Sequence, residues 1–120
     1  MDERLEKALD FSNYMVTLNN QKRLLGEQYQ QQLIYYFNGG QFSATQQLVS
    51  FCNALISLGQ TETVLVDDNN IPVFVQDLEE FLSDILQVYA SASNQYFTEY
   101  ETLKKNRSIK GIVDLWVKVY

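Results

Sequence analysis

The stretch DERLEKALDFSNYMVTLNNQKRLLGEQYQQQLIYYF, residues 2–37, decides the fold class of this chain. It holds one Gly and no Pro. Its apolar residues recur three and four positions apart, at Leu5, Ala8, Phe11, Met15, Leu18, Leu25, Tyr29, Leu33 and Tyr36. Such near-heptad spacing is typical of one face of a helix that packs on another helix. The pattern predicts a long helix over residues 2–37.

A second helix is predicted over residues 44–58. Asn38-Gly39-Gly40 is expected to end the first helix, because glycine readily adopts the left-handed conformation that ends helices. Ser43, with Gln46 three positions later, is the predicted N-cap of the second helix. The predicted apolar face of this helix consists of Leu48, Phe51, Cys52, Leu55 and Ile56.

Residues 61–76 predict a β-hairpin, because two β-branched runs flank the polar residues of VLVDDNNIPVFV, Val64–Val75. The carboxylates and amides of its centre also raise the question of a metal site. An EF-hand loop needs Gly at its sixth position. Counted from Asp67, the sixth residue is Pro72, and counted from Asp68, Pro72 is the fifth. We therefore interpret these residues as a turn.

The remainder of the chain predicts a long helix over 77–106, which Asp77 caps, and a short helix over 108–120. The expected fold is mainly α in a single domain over residues 1–120. Two long antiparallel helices carry an inserted short helix and a hairpin, followed by a short C-terminal helix. Antiparallel pairing is expected to place residues 35–37 (Tyr35, Tyr36 and Phe37) near Phe81, and Tyr14 beside Tyr96–Tyr100.

Composition restricts the chemistry that this chain can perform. The 120 residues carry a net charge of -6 and contain no His. The absent imidazole excludes Ser-His and Cys-His nucleophile systems within one chain. The negative charge disfavours broad contact with nucleic acid. Cys52, the single cysteine, is expected to be a buried apolar residue. We predict no catalytic residue, no cofactor, no metal and no enzymatic activity.

Two further features bear on location and on carboxylate chemistry. No apolar run approaches the roughly 20 residues that span a bilayer, and the start of the chain lacks a signal-peptide pattern, so we expect a cytoplasmic protein without membrane contact. Glu79, Glu80 and Asp84 cluster in sequence, but they also open a helix, where acidic residues offset the helix dipole. Their spacing does not direct them into one pocket.

The segment KKNRSIKG supports two hypotheses. Lys104, Lys105, Arg107 and Lys110 could form a patch for nucleic acid or for an acidic partner, with Trp116 and Tyr120 nearby for stacking. The simpler interpretation, which we favour, is the basic end of a helix. Steep weakening of single-strand binding with salt would distinguish the first hypothesis.

Self-association is the main functional expectation. The aromatic and apolar stripes exceed what a chain of this length can cover, which favours an interface. The residues expected there are Met15, Tyr29, Tyr36, Tyr96, Tyr100 and Trp116. The sequence thus predicts a non-enzymatic interaction or assembly protein that pairs with itself, as a symmetric dimer built on the long helices, or with another protein. The alternative is a nucleic-acid-associated accessory protein that uses residues 104–110.

Two stretches, DERLEKALDFSNYMVTLNNQKRLL and QQLIYYFNGGQFSATQQLVSFCNAL, resemble small uncharacterised proteins of T4-like marine cyanophages. Together they cover 49 of the 120 residues, and neither is a chemical motif. The resemblance implies a viral protein that acts in the cytoplasm of the infected host or in the virus particle. It implies no activity and no functional residue.

Overall fold

The computed structural model of this protein describes the backbone of residues 2–119 and the side chains of residues 2–105. Its elements in chain order are α1 (Glu3–Gln32), β1 (Ile34–Phe37), β2 (Gly40–Ser43), α2 (Gln46–Ser57), β3 (Thr63–Val66), β4 (Pro72–Val75) and α3 (Leu78–Val119). The described chain is mainly helical, with two long helices and two antiparallel hairpins. This confirms the predicted fold class.

The first helix ends earlier than predicted, and a second hairpin follows it. Residues 34–37, which we had assigned to the helix, form β1 and pair with β2 in a register that sets Phe37 opposite Gly40. Asn38 and Gly39 both have positive φ, at 46° and 78°. This conformation belongs to the two-residue turn that matches the twist of a hairpin. Asn-Gly therefore turns the chain between strands here and does not merely end a helix.

The short helix α2 is confirmed, but its predicted cap is wrong. Thr45 is the N-cap, since its Oγ1 accepts the N–H of Leu48 at 3.2 Å. Ser43 is instead the last residue of β2. Cys52 is fully buried, as expected, whereas Phe51 of the predicted apolar face is exposed.

The hairpin predicted over residues 61–76 is confirmed as β3 and β4. The N–H of Asp67 donates to the carbonyl of Ile71 at 2.9 Å, and Asn70 takes a positive φ of 62°. A three-residue loop that ends in a left-handed residue is a common hairpin connection.

A single helix, α3, occupies the region where we predicted two helices. Asp77 caps its start as predicted, because its Oδ1 accepts the N–H of Glu80 at 3.1 Å. The helical backbone then continues without interruption to Val119, so the prediction of a separate short helix is wrong. Gly111 costs a helix only about 1 kcal/mol relative to Ala, and no Pro intervenes to stop it.

Contacts divide the described chain into two compact units. The first unit contains residues up to Gln28 and those from Tyr96 onward. Within it, Lys22 lies over the ring of Tyr100 at 5.5 Å, and Gly26 faces the hydroxyl of Tyr96. Residue numbers thus rise along α1 as they fall along α3, which is the predicted antiparallel arrangement. Lys22, and not Tyr14, lies at the level of Tyr100. The single-domain assignment stays a prediction.

The second unit, Tyr29–Gln95, contains both hairpins, α2 and the start of α3 around one apolar core. Phe81 lies at the centre of an aromatic cluster, in which its ring centroid is 5.2 to 5.9 Å from those of Tyr35, Phe37 and Phe42. The predicted approach to Phe81 is confirmed for Tyr35 and Phe37, whereas Tyr36 between them is exposed. Edge-to-face aromatic pairs of this kind stabilise a core beyond the burial of their area.

Candidate interaction surface

The outward side of the β3–β4 hairpin is apolar at every strand position. It consists of Val64, Val66, Pro72 and Phe74, which we call the outer face. Val64 stands opposite Phe74, and Val66 stands opposite Pro72. Between 51% and 61% of Val64, Val66 and Phe74 is exposed. Contiguous apolar surface on a hairpin is unusual unless another molecule covers it.

The inward side explains why the hairpin keeps this orientation. Leu65, Val73 and Val75 alternate with the outer-face residues and are buried in the core of the second unit. Since side chains alternate between the faces of a strand, a slip by one residue would expose these three side chains. Burial of the inner face therefore holds the outer face toward solvent.

The two edges of this hairpin differ. The N–H of Asp67 donates to the carbonyl of Ile71, which makes these two residues a hydrogen-bonded position of the ladder. In the observed register, Val64 and Val66 then belong to the pairs without mutual hydrogen bonds. Their N–H and C=O groups consequently point to the outer edge of β3, and no strand among the described residues pairs there. On β4, Pro72 lacks an N–H, and the Phe74 carbonyl accepts Asn38 Nδ2 at 3.3 Å.

The turn of the hairpin is organised by the buried carboxylate of Asp67. Its Oδ1 accepts the N–H groups of Asn69 and Ile71, at 2.9 and 2.8 Å. Its Oδ2 accepts the N–H of Gln41 on β2 at 2.9 Å. The bond from Gln41 is the largest cause that lowers the pKa of Asp67 below the usual carboxyl value, and the bonds from Ile71 and Asn69 act in the same direction. Burial opposes this shift.

These hydrogen bonds bear on whether the loop between β3 and β4 is a metal site or a turn. Both carboxylate oxygens of Asp67 already accept backbone N–H groups, and Asp68 Oδ2 accepts the hydroxyl of Ser43 at 2.7 Å. The prediction of a turn is confirmed. Across the part of the chain that the structure describes, no group of three or more His, Cys, Asp or Glu residues is arranged to hold a metal ion.

The three carboxylates at the start of α3 have different environments. Glu79 and Glu80 are exposed, whereas Asp84 accepts the hydroxyl of Tyr35 at 2.9 Å. Burial, followed by this bond and the charges of Asp84 and Glu80, raises the pKa of Tyr35 to about 12. Burial also raises the pKa of the Cys52 thiol. Both shifts favour the protonated, unreactive form.

The residues predicted for the interface have different environments. Tyr36 and Met15 are exposed, the former on β1 at 72%. Tyr29 is partly buried, and its hydroxyl lies 2.9 Å from Ser93 Oγ. Tyr96 and Tyr100 are partly buried and form an edge-to-face pair in the first unit. The side chain of Trp116 lies outside the described residues. The interface through these six residues therefore stays a prediction.

The basic segment lies on α3. Lys104 and Lys105 are exposed. Arg107 and Lys110 belong to the helical backbone, but their side chains lie outside the described range. The patch for nucleic acid or for an acidic partner therefore stays a prediction.

The outer face is not among the surfaces predicted from the sequence, although a signal for it is present. Apolar residues at alternate positions of both strands, together with apolar residues between them, indicate a hairpin that is apolar on two sides. The pairing of Val64 with Phe74 required the register, which the loop conformation sets.

The comparisons with known proteins complete this description. No family model matches the chain, and neither a curated protein nor a solved structure matches it significantly. Among the described residues, no helix combines the length and the apolar content that crossing a bilayer requires.

Proposed function

We propose that this protein is a non-enzymatic interaction or assembly protein that contacts another protein through the outer face of the β3–β4 hairpin. The observation that carries the proposal is the unbroken apolar character of that face, with Val64, Val66 and Phe74 each more than half exposed. A two-stranded hairpin is marginally stable by itself. The packing of the hairpin on the core holds the outer face in a fixed conformation. A rigid apolar surface binds a partner at a low entropic cost.

The state of the polar groups supports a role without catalysis. Asp67 is occupied by the turn and by β2, and Asp84 is occupied by Tyr35. The raised pKa values of Tyr35 and Cys52 keep both side chains protonated at neutral pH. These groups stabilise the fold. The resemblance to cyanophage proteins adds the proposal that the partner is a phage or host protein.

Parallel capture from extracts of the native source tests this proposal. The probes are the wild-type chain, the double variant Val66→Lys/Phe74→Lys and the control Leu58→Lys, which changes an apolar residue that is 79% exposed at the C-cap of α2, outside the hairpin. We expect one defined protein to bind the wild type and the control, and to be lost from the double variant. Circular dichroism establishes that all three chains fold equally. Equal capture by the double variant, or no specific capture by the wild type, contradicts the proposal.

A further inference from the structure

Charge is divided unevenly between the two units of this chain. Residues 29–95, the second unit, contain no Lys and no Arg, so all nine basic residues of the chain belong to the first unit, where eight acidic residues nearly balance them. The second unit contains the other seven acidic residues, which are Glu62, Asp67, Asp68, Asp77, Glu79, Glu80 and Asp84. With seven carboxylates and no basic side chain, this unit has a net charge of -7 at neutral pH, and no ion pair within it can reduce that charge.

Exposed carboxylates stand at both ends of the β3–β4 hairpin. At the open end, the N–H of Leu78 donates to the carbonyl of Thr61 at 3.0 Å. Glu62 and Asp77 each adjoin one of these residues in the chain, and both are exposed. At the other end, the exposed Asp68 belongs to the turn. Asp68 and Asp77 accept hydrogen bonds only from a hydroxyl and a backbone N–H, so these bonds leave both charges uncompensated.

The outer face therefore lies in an acidic environment, which restricts the molecules that can cover it. An interface has an apolar centre, and the charges around that centre decide which molecules approach it. Nucleic acid and the anionic lipids of membranes have the same sign of charge as the second unit, so they are repelled. A protein surface that has Lys or Arg around an apolar centre instead forms opposite-charge pairs with these carboxylates.

A second copy of this chain does not supply such a surface. If two copies met outer face to outer face, two second units, each with a net charge of -7, would repel each other. The first unit of another copy has nine basic and eight acidic residues, so it has no comparable surplus of positive charge. Charge complementarity thus favours a different, basic protein.

We propose that the outer face of the β3–β4 hairpin binds a basic partner protein, whose contact surface has apolar residues at its centre and Lys or Arg around them. The inference rests on the proposed function and names the chemistry of the partner. Apolar contact with Val64, Val66 and Phe74 supplies affinity. The carboxylates of the second unit speed association with a basic protein and repel anionic competitors.

Two synthetic helical peptides test the role of charge on the full chain. Both have Leu along one face, and all other positions are Lys in one peptide and Glu in the other. At low salt we expect the Lys peptide to bind saturably, with a dissociation constant at least about tenfold lower than that of the Glu peptide. Raising the salt concentration to about 0.5 M should weaken binding of the Lys peptide by about tenfold, because salt screens exposed charges.

Two apolar substitutions locate the binding of the Lys peptide. The double variant Val66→Ser/Phe74→Ser removes apolar surface from the outer face without changing the charge, and it should weaken binding by about tenfold. Leu58→Ser, at the C-cap of α2, is the matched control and should bind as the wild type does. Circular dichroism establishes that the variants fold equally.

Two charge substitutions separate the carboxylates near the hairpin from the charge of the whole chain. Glu62→Gln/Asp77→Asn should weaken binding of the Lys peptide by about threefold or more, and Asn at position 77 can still cap α3. Glu6→Gln/Glu101→Gln removes two exposed carboxylates of the first unit and changes the net charge by the same amount. This control should leave the dissociation constant unchanged.

The results that overturn the proposal are distinct from those that overturn the proposed function. Failure of the Lys peptide to bind, equal binding of the two peptides, or equal loss in the two charge variants overturns the basic partner. Full binding by Val66→Ser/Phe74→Ser overturns the outer face as its site. Self-association of the wild type that this variant abolishes would mean that a second copy covers the face, and also overturns the proposal. If the proposal fails while Val66→Lys/Phe74→Lys still loses its captured protein, the proposed function stands and only the partner's chemistry is wrong.

Discussion

Oδ2 of Asp67 accepts the backbone N–H of Gln41 at 2.9 Å, which joins the turn of one hairpin to a strand of the other. The N–H of Asp68 donates in return to the carbonyl of Gln41 at 2.8 Å. Gln41 and Asp67 are far apart in sequence, so these bonds hold the two hairpins together. The position of the outer face depends on this junction.

Asp67→Asn should destabilise the protein in a pH-dependent way. The amide has one acceptor oxygen in place of two, so at least one of the bonds from Asn69, Ile71 and Gln41 is lost. The pKa of Asp67 is lowered in the folded state, and its contribution is therefore present above the unfolded carboxyl pKa of 3.8 and is lost as pH falls through the folded value. Urea unfolding measures the difference in the free energy of unfolding between the wild type and Asp67→Asn. This difference should become smaller below about pH 4. A constant difference would show that ionisation of Asp67 is irrelevant.

Gly40→Ala should lower the free energy of unfolding by about 1–3 kcal/mol, a typical cost of overpacking. The added Cβ would lie 2.6 Å from Cγ2 of Val73, where the two hairpins approach each other. Gly26→Ala is the matched control, because its Cβ meets only the Tyr96 hydroxyl at 3.6 Å within a helix. The control should gain up to about 1 kcal/mol from helix propensity. Denaturant unfolding should thus show a lower free energy of unfolding for Gly40→Ala and a higher one for Gly26→Ala, each relative to the wild type. Changes of the same sign would contradict the packing argument.

Tyr35→Phe should change the alkaline stability of the protein. The raised pKa means that the folded state holds the Tyr35 proton more tightly than the unfolded state does. The stability from this group is complete below pH 10, the unfolded value, and is lost as pH rises toward about 12. The free energies of unfolding of the wild type and of the variant, measured from pH 8 to pH 11, should converge as the pH rises. A constant difference over this range would show that the pKa of Tyr35 does not change on folding.

Light scattering over a concentration series should reveal a dimer, as the sequence predicted, and the exposed stripe of Leu5, Leu9 and Val16 on α1 supports it. Helical spacing puts these residues opposite Leu18, which is buried. Leu9→Glu should raise the dissociation constant by about tenfold or more, because it places a charge in an apolar contact. Gln28→Glu, an equally charged change at an exposed position of α1, is the control. A monomeric wild type at every concentration would refute self-association.

Local signals predicted most elements of the fold. Asp77 with Glu80 marked the start of α3, and the β-branched runs marked β3 and β4, because capping and alternation depend on neighbouring residues. The same local rules failed at residues 34–37. The apolar residues of IYYF fit a helical pattern and also fit a strand. The Asn-Gly turn that follows them favours the strand.

The mainly helical class, the turn at Asp67 and the burial of Cys52 could be predicted from the residues alone, since these features follow from periodicity, composition and contacts close in the chain. Which apolar residues stay exposed to solvent depends instead on contacts between distant parts of the chain. Tyr29 lies against Ser93, whereas Val64, Val66 and Phe74 face solvent. The physical reason is that exposure depends on the register of β3 on β4 and on the junction of Asp67 with Gln41, and pairing between distant residues leaves no signature in a local pattern.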